Sequence, residues 1–597
     1  MKAVSFISVL LIVASFLYGQ PYYLRGVVQD EKGIPLQNVK IIELSTGLVY
    51  RTGVYGSFGI VCNNPTDSLS FSLEGYEKQN LVVAAAVYAE IKLKLLPSSS
   101  FRMHIEHLTS LTRDLQRDEQ KKWFTGEETY ASIVENHFIN ARRFPVTGMS
   151  LDIDKASYSN IRRFINFNSI VPPDAVRIEE MLNYFNFDYT KPQGKDIFSV
   201  KTTLTSCPWN PGNQLFYINL SARKLDLDSL PPSNLVFLID VSGSMDMPNR
   251  LPLLKSAFNT LVNNLRAKDT VAIVVYGGIV GVMLQPTSGA EKEKIRKAID
   301  ELEPGGSTPG ESGIRMAYQL ARNHFIRNGN NRVILATDGD FNVGSKSEEE
   351  LDELITRQRE TGVYLTCLGV GMGNYKDSKI QILSKRGNGN FAYLDNYREA
   401  EKVLLTEFTQ TLYAVADNVY MNVEFNPGYI KEYRLIGFDN KMSALKDSLT
   451  QVEGGEIGSG NSTQVVFEIV PAEMKSDALQ KNLKENELAA INVHYRLPGV
   501  LKEDNASFRG GFNFIPFNEL DSSFRLSASV IMFGALLRRS TFIKSAGWND
   551  VLLLATQSAS RNDVLQQEFV SLVEKAKTLY SKQKKKRRAK ESVIPDF

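Results

Sequence analysis

The chain has 597 residues, enough for several domains, and its 43% hydrophobic and 23% charged residues are the balance of an ordinary soluble globular protein. A formal net charge of +2 gives no global attraction to nucleic acid or to a membrane surface. The cysteines Cys62, Cys207 and Cys367 have no close spacing and no partner histidine, so neither a disulfide framework nor a zinc site is indicated.

Met1 and Lys2 followed by an apolar stretch from Val4 to Tyr18 read as a secretory signal over residues 1–19, with cleavage near Gly19–Gln20. The stretch is short for a membrane span, an uncleaved anchor stays open, and no cysteine follows to support a lipoprotein anchor. Export to a bacterial periplasm or cell surface is the expectation. From about 22 to 96 the chain alternates apolar and polar residues, with a turn at Asp30 to Gly33 between two strands. Gly26, the run Asp30 to Leu36, Gly56 to Phe58 and Glu74 to Glu77 together resemble the small β-sandwich called the carboxypeptidase regulatory-like domain. Despite that name, such modules carry no peptidase residues, and none are seen here. "LPSSS" then opens a polar linker over 97–130.

Residues 131–231 form a distinct region. Asp152 and Asp154 lie two apart, so a strand places both on one face, as a second metal site would require; the competing reading is a strand edge and a helix cap before "ASYSNIRRFI". Pro172 and Pro173 interrupt, and "AVRIEEMLNYF" resumes helix. "FSVKTTLTSC" and "LFYINLSAR" read as strands.

From 232 to 415 strands near 235–239, 271–276, 333–337 and 363–370 alternate with helices near 251–265, 290–302, 311–327, 347–361, 376–385 and 398–412. That alternation predicts a parallel, doubly wound α/β sheet. Cys367, in the apolar "VYLTCLGVG", reads as a small core residue. Asp240, Ser242 and Ser244 in "FLIDVSGSMD" sit on the loop leaving a buried strand, and Asp338 in "LATDGD" leaves another. Thr308 lies in "PGGSTPG", where Gly305 and Gly306 let the backbone turn tightly. Open α/β sheets bind ligands at the carboxyl edge of their strands. All five side chains are oxygen donors, which is ligand chemistry for a small hard cation, Mg²⁺ first, with Mn²⁺ or Ca²⁺ as alternatives. Taken alone, the first motif also fits a turn with capping Asp and Ser.

The three motifs in this order resemble the metal-ion-dependent adhesion site (MIDAS) of a von Willebrand factor type A (VWA) domain. The resemblance implies that Ser242 and Ser244 bind the metal directly, while Thr308, Asp240 and Asp338 complete the shell directly or through water. It also implies a protein partner that supplies a carboxylate to the metal. An open metal position could instead activate water, but hydrolysis needs a general base, and no histidine falls in the motifs. Binding is therefore favoured over catalysis, so the chain is not expected to be an enzyme.

"D-x-D-x-A-S-Y" from Asp152 and "PPDAVRIEEM" ahead of the metal domain, with "FNP" at Phe425 to Pro427, "YRLIGFDN" at Tyr433 to Asn440 and "GEIGSG" at Gly455 to Gly460 behind it, resemble the bacterial YfbK-like subfamily over about 136 to 580. Over 416–580 the pattern returns to strands, "NVYMNVEF", "TQVVFEIVP" and "LAAINVHYRLP", before helices near 524–540 and 562–580. The strands on either side of the metal domain are expected to pair into one β-sandwich that holds it as an insert. "SASVIMFGALL" reads as a buried helix rather than a membrane span. The basic run over 581–597 reads as a solvated, unstructured tail that leaves contact with an anionic lipid or acidic partner open.

Overall fold

The computed structural model describes residues 22–94 and 128–591, apart from 32, 34, 54, 63, 74–75, 152–153, 186, 188–189, 227–229, 278–279, 306–309, 340–347, 360, 373–374, 440–441, 444–453, 473–486, 501 and 544. The expected signal segment, most of the linker, Asp152 and Thr308 therefore lie outside the described residues. The chain divides into two compact units, one up to Asp114 and one from Leu115 onward.

In the first unit a three-stranded sheet and a four-stranded sheet face each other across a core of Leu24, Val28, Ile41, Ile60, Phe71 and Leu93. The turn after the first strand closes with Gly33 N–H donating to Asp30 O at 3.1 Å. Two glycines are obligatory here. A Cβ on Gly26 would stand 2.2 Å from Ala89 O, and one on Gly56, which has φ +69°, would stand 2.4 Å from Val28 O.

The second unit has three parts. The central part is a six-stranded sheet of β1 (Ser233–Asp240), β2 (Thr270–Tyr276), β3 (Gly281–Ser288), β4 (Asn330–Thr337), β5 (Tyr364–Gly369) and β6 (Phe391–Tyr393), in the order β3-β2-β1-β4-β5-β6. Helices α1 (Leu251–Asn263), α2 (Lys292–Asp300), α3 (Gly310–Asn323), α4 (Glu348–Arg359) and α5 (Asp377–Arg386) alternate with the strands. One core buries Phe237, Ile239, Phe258 and Leu261; another buries Val236, Leu238, Ile314 and Leu365. The odd and even residues of β1 thus serve opposite faces of the sheet. Cys367 is fully buried, as its apolar surroundings imply.

The sheet departs from the expectation at both edges. β3 pairs antiparallel with β2, so the sheet is not wholly parallel, and the pairing slips by a bulge beside Pro286. Proline is tolerated at such a bulged edge, and it also hides the strand from a pattern search. The helix expected over 398–412 is split into Tyr397–Glu401, a π-turn Lys402–Thr406 and Phe408–Leu412. In that wide turn Glu407 N–H donates to Lys402 O at 2.8 Å, and the Glu407 carboxylate takes Lys155 and Lys402, each at 3.1 Å. Burial pushes this carboxyl up, but the two ammonium groups outweigh it and hold it at about 2.

The second part is a pair of sheets built from strands on either side of the six-stranded sheet in sequence. Gln214–Ala222 pairs antiparallel with Ser462–Pro471, and Val146–Ser150 with Ala414–Phe425. Their facing residues, among them Phe216, Ile218, Val423, Phe425, Phe467 and Ile491, share one core. The third part is helical: Ala156–Asn166, Ile178–Leu182, Ser522–Arg538, Trp548–Ser558 and Val564–Glu591 bury Tyr158, Met181, Phe533 and Phe569 together. Trp548–Ser558 is a helix beyond those expected from the sequence, and the last helix runs past residue 580. The basic run continues that helix to Glu591 and is not an unstructured tail over 581–591, because Lys, Arg, Gln and Ala are all good helix formers. No helix among the described residues is long and apolar enough to cross a membrane.

Buried ion pairs join the three parts. Arg162 reaches Asp395, Glu399 and Glu568, and Arg177 reaches Glu180 and Asp377. On β4, Arg332 donates to Glu456 at 2.5 Å and to Thr366 Oγ1 at 2.8 Å, with both charged side chains essentially inaccessible. Removing one partner of such a pair strands the other charge out of water. Arg332→Met is therefore expected to cost about 3–5 kcal/mol in chemical denaturation, with much of that recovered in Arg332→Met/Glu456→Met. An equal or greater loss in the double variant would mean that packing at this junction matters more than charge.

Candidate metal site

The site follows from strand order. β1 pairs parallel with β2 on one side and β4 on the other, and the chain runs on from β1 to β2 but from β4 to β5, so the loops leaving β1 and β4 turn in opposite directions at the carboxyl edge. That reversal opens a crevice between the loops after β1 and β4. Asp240 is the last residue of β1, and Asp338 directly follows β4. The register that sets Ile239 beside Ala336 brings the two carboxylates to one edge.

Local hydrogen bonds fix the loops. Asp240 Oδ1 accepts from Ser242 N–H at 2.9 Å, and Asp240 Oδ2 from the Thr337 hydroxyl at 3.0 Å. Thr337 Oγ1 in turn accepts from Gly339 N–H at 3.0 Å. A short 3₁₀ turn, Gly243–Met245, carries Ser244 back over the edge. The hydroxyls of Ser242 and Ser244 lie 3.0 Å apart, and Ser244 Oγ donates to Asp338 Oδ2 at 2.8 Å. The loop after β2 presses against this turn: Gly277 has φ +141°, and a Cβ there would stand 2.4 Å from Ser242 N. Gly305 N–H donates to Val241 O at 2.7 Å, which docks Gly305 against the loop after β1. A Cβ on Gly305 would meet nothing within 4 Å, so the expected need for glycine does not hold at 305, and Gly306 lies outside the described residues.

Four of the five sequence-identified residues, Asp240, Ser242, Ser244 and Asp338, thus converge. Asp240 is 0% exposed and Asp338 1%, whereas Ser244 is exposed. The carboxylates line the floor and a hydroxyl opens to solvent. Burial pushes the Asp240 carboxyl up to about 6, and the charge of Asp338 adds to that, while hydrogen bonds from Ser242 and Thr337 pull the other way. Among the described residues no cationic side chain pairs with Asp240. A buried carboxylate without a counter-cation, next to hydroxyls and a second carboxylate, fits a small hard cation.

Two contributors escaped the sequence reading. Thr337 orients Asp240, and Arg250 donates to Asp338 Oδ2 at 2.6 Å, to Ser244 O at 2.7 Å and to Met372 O at 2.9 Å. Arg250 stands at the N-cap of α1, where Ser, Thr, Asp or Asn is usual and a cation opposes the helix dipole. That misfit is the signal that could have found it. Asp154 accepts from Phe391 N–H at 2.7 Å, and the following helix starts at N-cap Lys155 with no side-chain cap, so the expected helix cap does not form; Asp152, the other half of the possible second metal pair, lies outside the described residues. No group of three or more His, Cys, Asp or Glu suited to a metal occurs among the described residues.

This sheet, with its crevice of hydroxyls and carboxylates, belongs to the von Willebrand factor type A class: the family of that description matches residues 234–407, and a second described as von Willebrand factor matches 124–217. Residues 410–579 match the YfbK C-terminal family. The chain is 36% identical to the uncharacterised protein YfbK of Escherichia coli (strain K12) over 470 residues, covering 76% of this chain and 81% of that one. It is a member of the YfbK family. Inter-alpha-trypsin inhibitor heavy chain H2 of Sus scrofa is 28% identical over 167 residues, 27% of this chain and 17% of that protein. The solved structure of a von Willebrand factor type A protein from Catenulispora acidiphila is 12% identical and covers 60% of this chain and 86% of its own, with a TM-score of 0.37. Domains of this class typically mediate protein–protein interactions.

Asp240 links the site to stability. A carboxyl at about 6 in the fold against an ordinary 3.8 binds its proton more readily when folded, so the metal-free fold loses stability as pH rises from 4 through 6. The cost at neutral pH is about 3 kcal/mol. Asp240→Asn should therefore raise the melting temperature in chelator at pH 7 by several degrees and flatten its dependence between pH 4 and 6. A lower melting temperature would show that the chain itself already compensates the Asp240 charge.

Proposed function

We propose that this protein binds a protein partner through a divalent cation, Mg²⁺ first and Mn²⁺ or Ca²⁺ next, held by Asp240, Ser242, Ser244, Thr308 and Asp338 as a MIDAS. The observation that carries this reading is the convergence of two serine hydroxyls 3.0 Å apart on a buried carboxylate pair with an exposed rim at Ser244. Mg²⁺ keeps an incomplete protein shell and exchanges its remaining waters. Neutral hydroxyls leave the cation electrophilic, so a carboxylate from the partner is the natural last ligand.

Binding is favoured over hydrolysis because a water-activating site needs a base in reach. The described histidines lie elsewhere: His494 stacks on Tyr420, His137 meets Phe542, and His324 stands just past the end of α3. The protein is accordingly read as a non-enzyme. A second reading, a scaffold in which the metal only ties loops together, draws support from the density of buried ion pairs around the central sheet.

The remaining architecture belongs to the same proposal. The VWA domain is an insert in the β-sandwich built from the strands before and after it. Residues 22–96 are a carboxypeptidase regulatory-like module, supported by the close backbone approaches at Gly26 and Gly56. The protein acts outside the cytoplasm, at the envelope or surface, with membrane contact through its N-terminal segment or basic end.

Calorimetric titration of Mg²⁺ into the full chain should give saturable heat that is absent in Asp240→Ala and Asp338→Ala. A partner captured with Mg²⁺ should be released by chelator. Metal-dependent melting without any metal-dependent partner would select the scaffold, and absence of heat in the unaltered chain would end the metal reading.

A further inference from the structure

Resting on the metal reading above, we infer that Arg250 sets the charge of the loaded site and so makes it selective for an anionic last ligand. Arg250 is 6% exposed, and its guanidinium ties three loops: to Asp338 after β4, to Ser244 O after β1, and to Met372 O after β5. The chain is shaped to admit it. Gly371 has φ +83°, and a Cβ there would stand 2.6 Å from Arg250 Nε. Helix stability does not explain a cation at the N-cap of α1, where the dipole is unfavourable.

The charge arithmetic gives the consequence. Among the described residues, the hydrogen-bonded set holds two carboxylates, Asp240 and Asp338, and one guanidinium, Arg250. A guanidinium is always charged. The set therefore carries about −1, and a divalent cation takes it to about +1 over two carboxylates that are themselves buried. Without Arg250 the loaded site would be neutral and nearly indifferent between a carboxylate and an uncharged oxygen. Arg250 thus weakens the hold on the metal and strengthens the hold of the loaded metal on an anion. It is a positioning and specificity residue, since the metal shell itself is made by the five oxygen donors.

Mg²⁺ titration and Mn²⁺ water-proton relaxation on the full chain test this, with acetate as the anionic probe and acetamide as its neutral counterpart. Arg250→Gln should bind Mg²⁺ about tenfold more tightly, and its Mn²⁺ form should need about tenfold more acetate to displace bound water. Arg250→Lys, which keeps the charge, should stay close to the unaltered chain in both. Unchanged affinities in Arg250→Gln, or a loss of metal binding there, would overturn the inference, the latter by making Arg250 only a brace for the ligands. Failure of Mg²⁺ to bind the unaltered chain would instead end the metal reading itself. If Arg250→Gln does not fold, the unaltered Mn²⁺ form decides: acetate should displace water where acetamide does not, and equal displacement overturns the inference.

Discussion

The parallel pairing of Ser233–Asp240 with Asn330–Thr337 is the constraint on which the site depends. Each segment delivers one carboxylate of the crevice at its carboxyl end, Asp240 from one and Asp338 just after the other. Because the register is fixed by two apolar faces, a slip of one residue would turn every core side chain to the wrong side. The packing that fixes the sheet therefore also fixes the separation of Asp240 and Asp338. Thr337, the last residue of β4, completes the link by donating its hydroxyl across to Asp240.

The electrostatics differ sharply between the two ends of this domain. Away from the crevice, each of these buried carboxylates touches a cationic side chain: Arg332 reaches Glu456, Arg162 reaches both Asp395 and Glu399, and Lys155 and Lys402 reach Glu407. At the crevice, two buried carboxylates share one guanidinium, and that guanidinium lies on Asp338. A matched buried pair contributes little net stability but strongly resists loss of either partner. An unmatched carboxylate costs stability until something positive arrives. The imbalance at Asp240 is local, and it distinguishes this crevice from the ion pairs around it.

Much of this was legible in the chain. The four converging site residues were readable because short polar motifs directly follow continuous apolar strands, a contrast that survives without any knowledge of packing. The strands Ser233–Asp240, Thr270–Tyr276, Asn330–Thr337 and Tyr364–Gly369 stood out for the same reason. Gly281–Ser288 did not, because Pro286 and a bulge break its alternation. The π-turn at Lys402–Thr406 has no local signature; it is tied to Lys155, some 250 positions away. Arg250 was hidden because its partners come from three separate loops, although its misfit at a helix N-cap was visible. The helical course of the basic end was missed because charge was weighed and helix propensity was not.

The base of the domain explains how the site can tolerate its own strain. Where the chain enters β1 and where it leaves the domain, Ser233 and Tyr413 share a hydrogen bond of 2.8 Å, and Arg266 reaches the same Tyr413 hydroxyl at 3.0 Å. Arg332 adds its buried pair to Glu456 on a neighbouring strand. These ties sit at the amino ends of the strands, opposite the crevice. The paired polar groups thus sit at one end of the sheet and the uncompensated charge at the other, with full-length strands between them. A cation entering the crevice would relieve the repulsion between Asp240 and Asp338 without having to repack the base, so the proposed binding would be a local event on a frame already set.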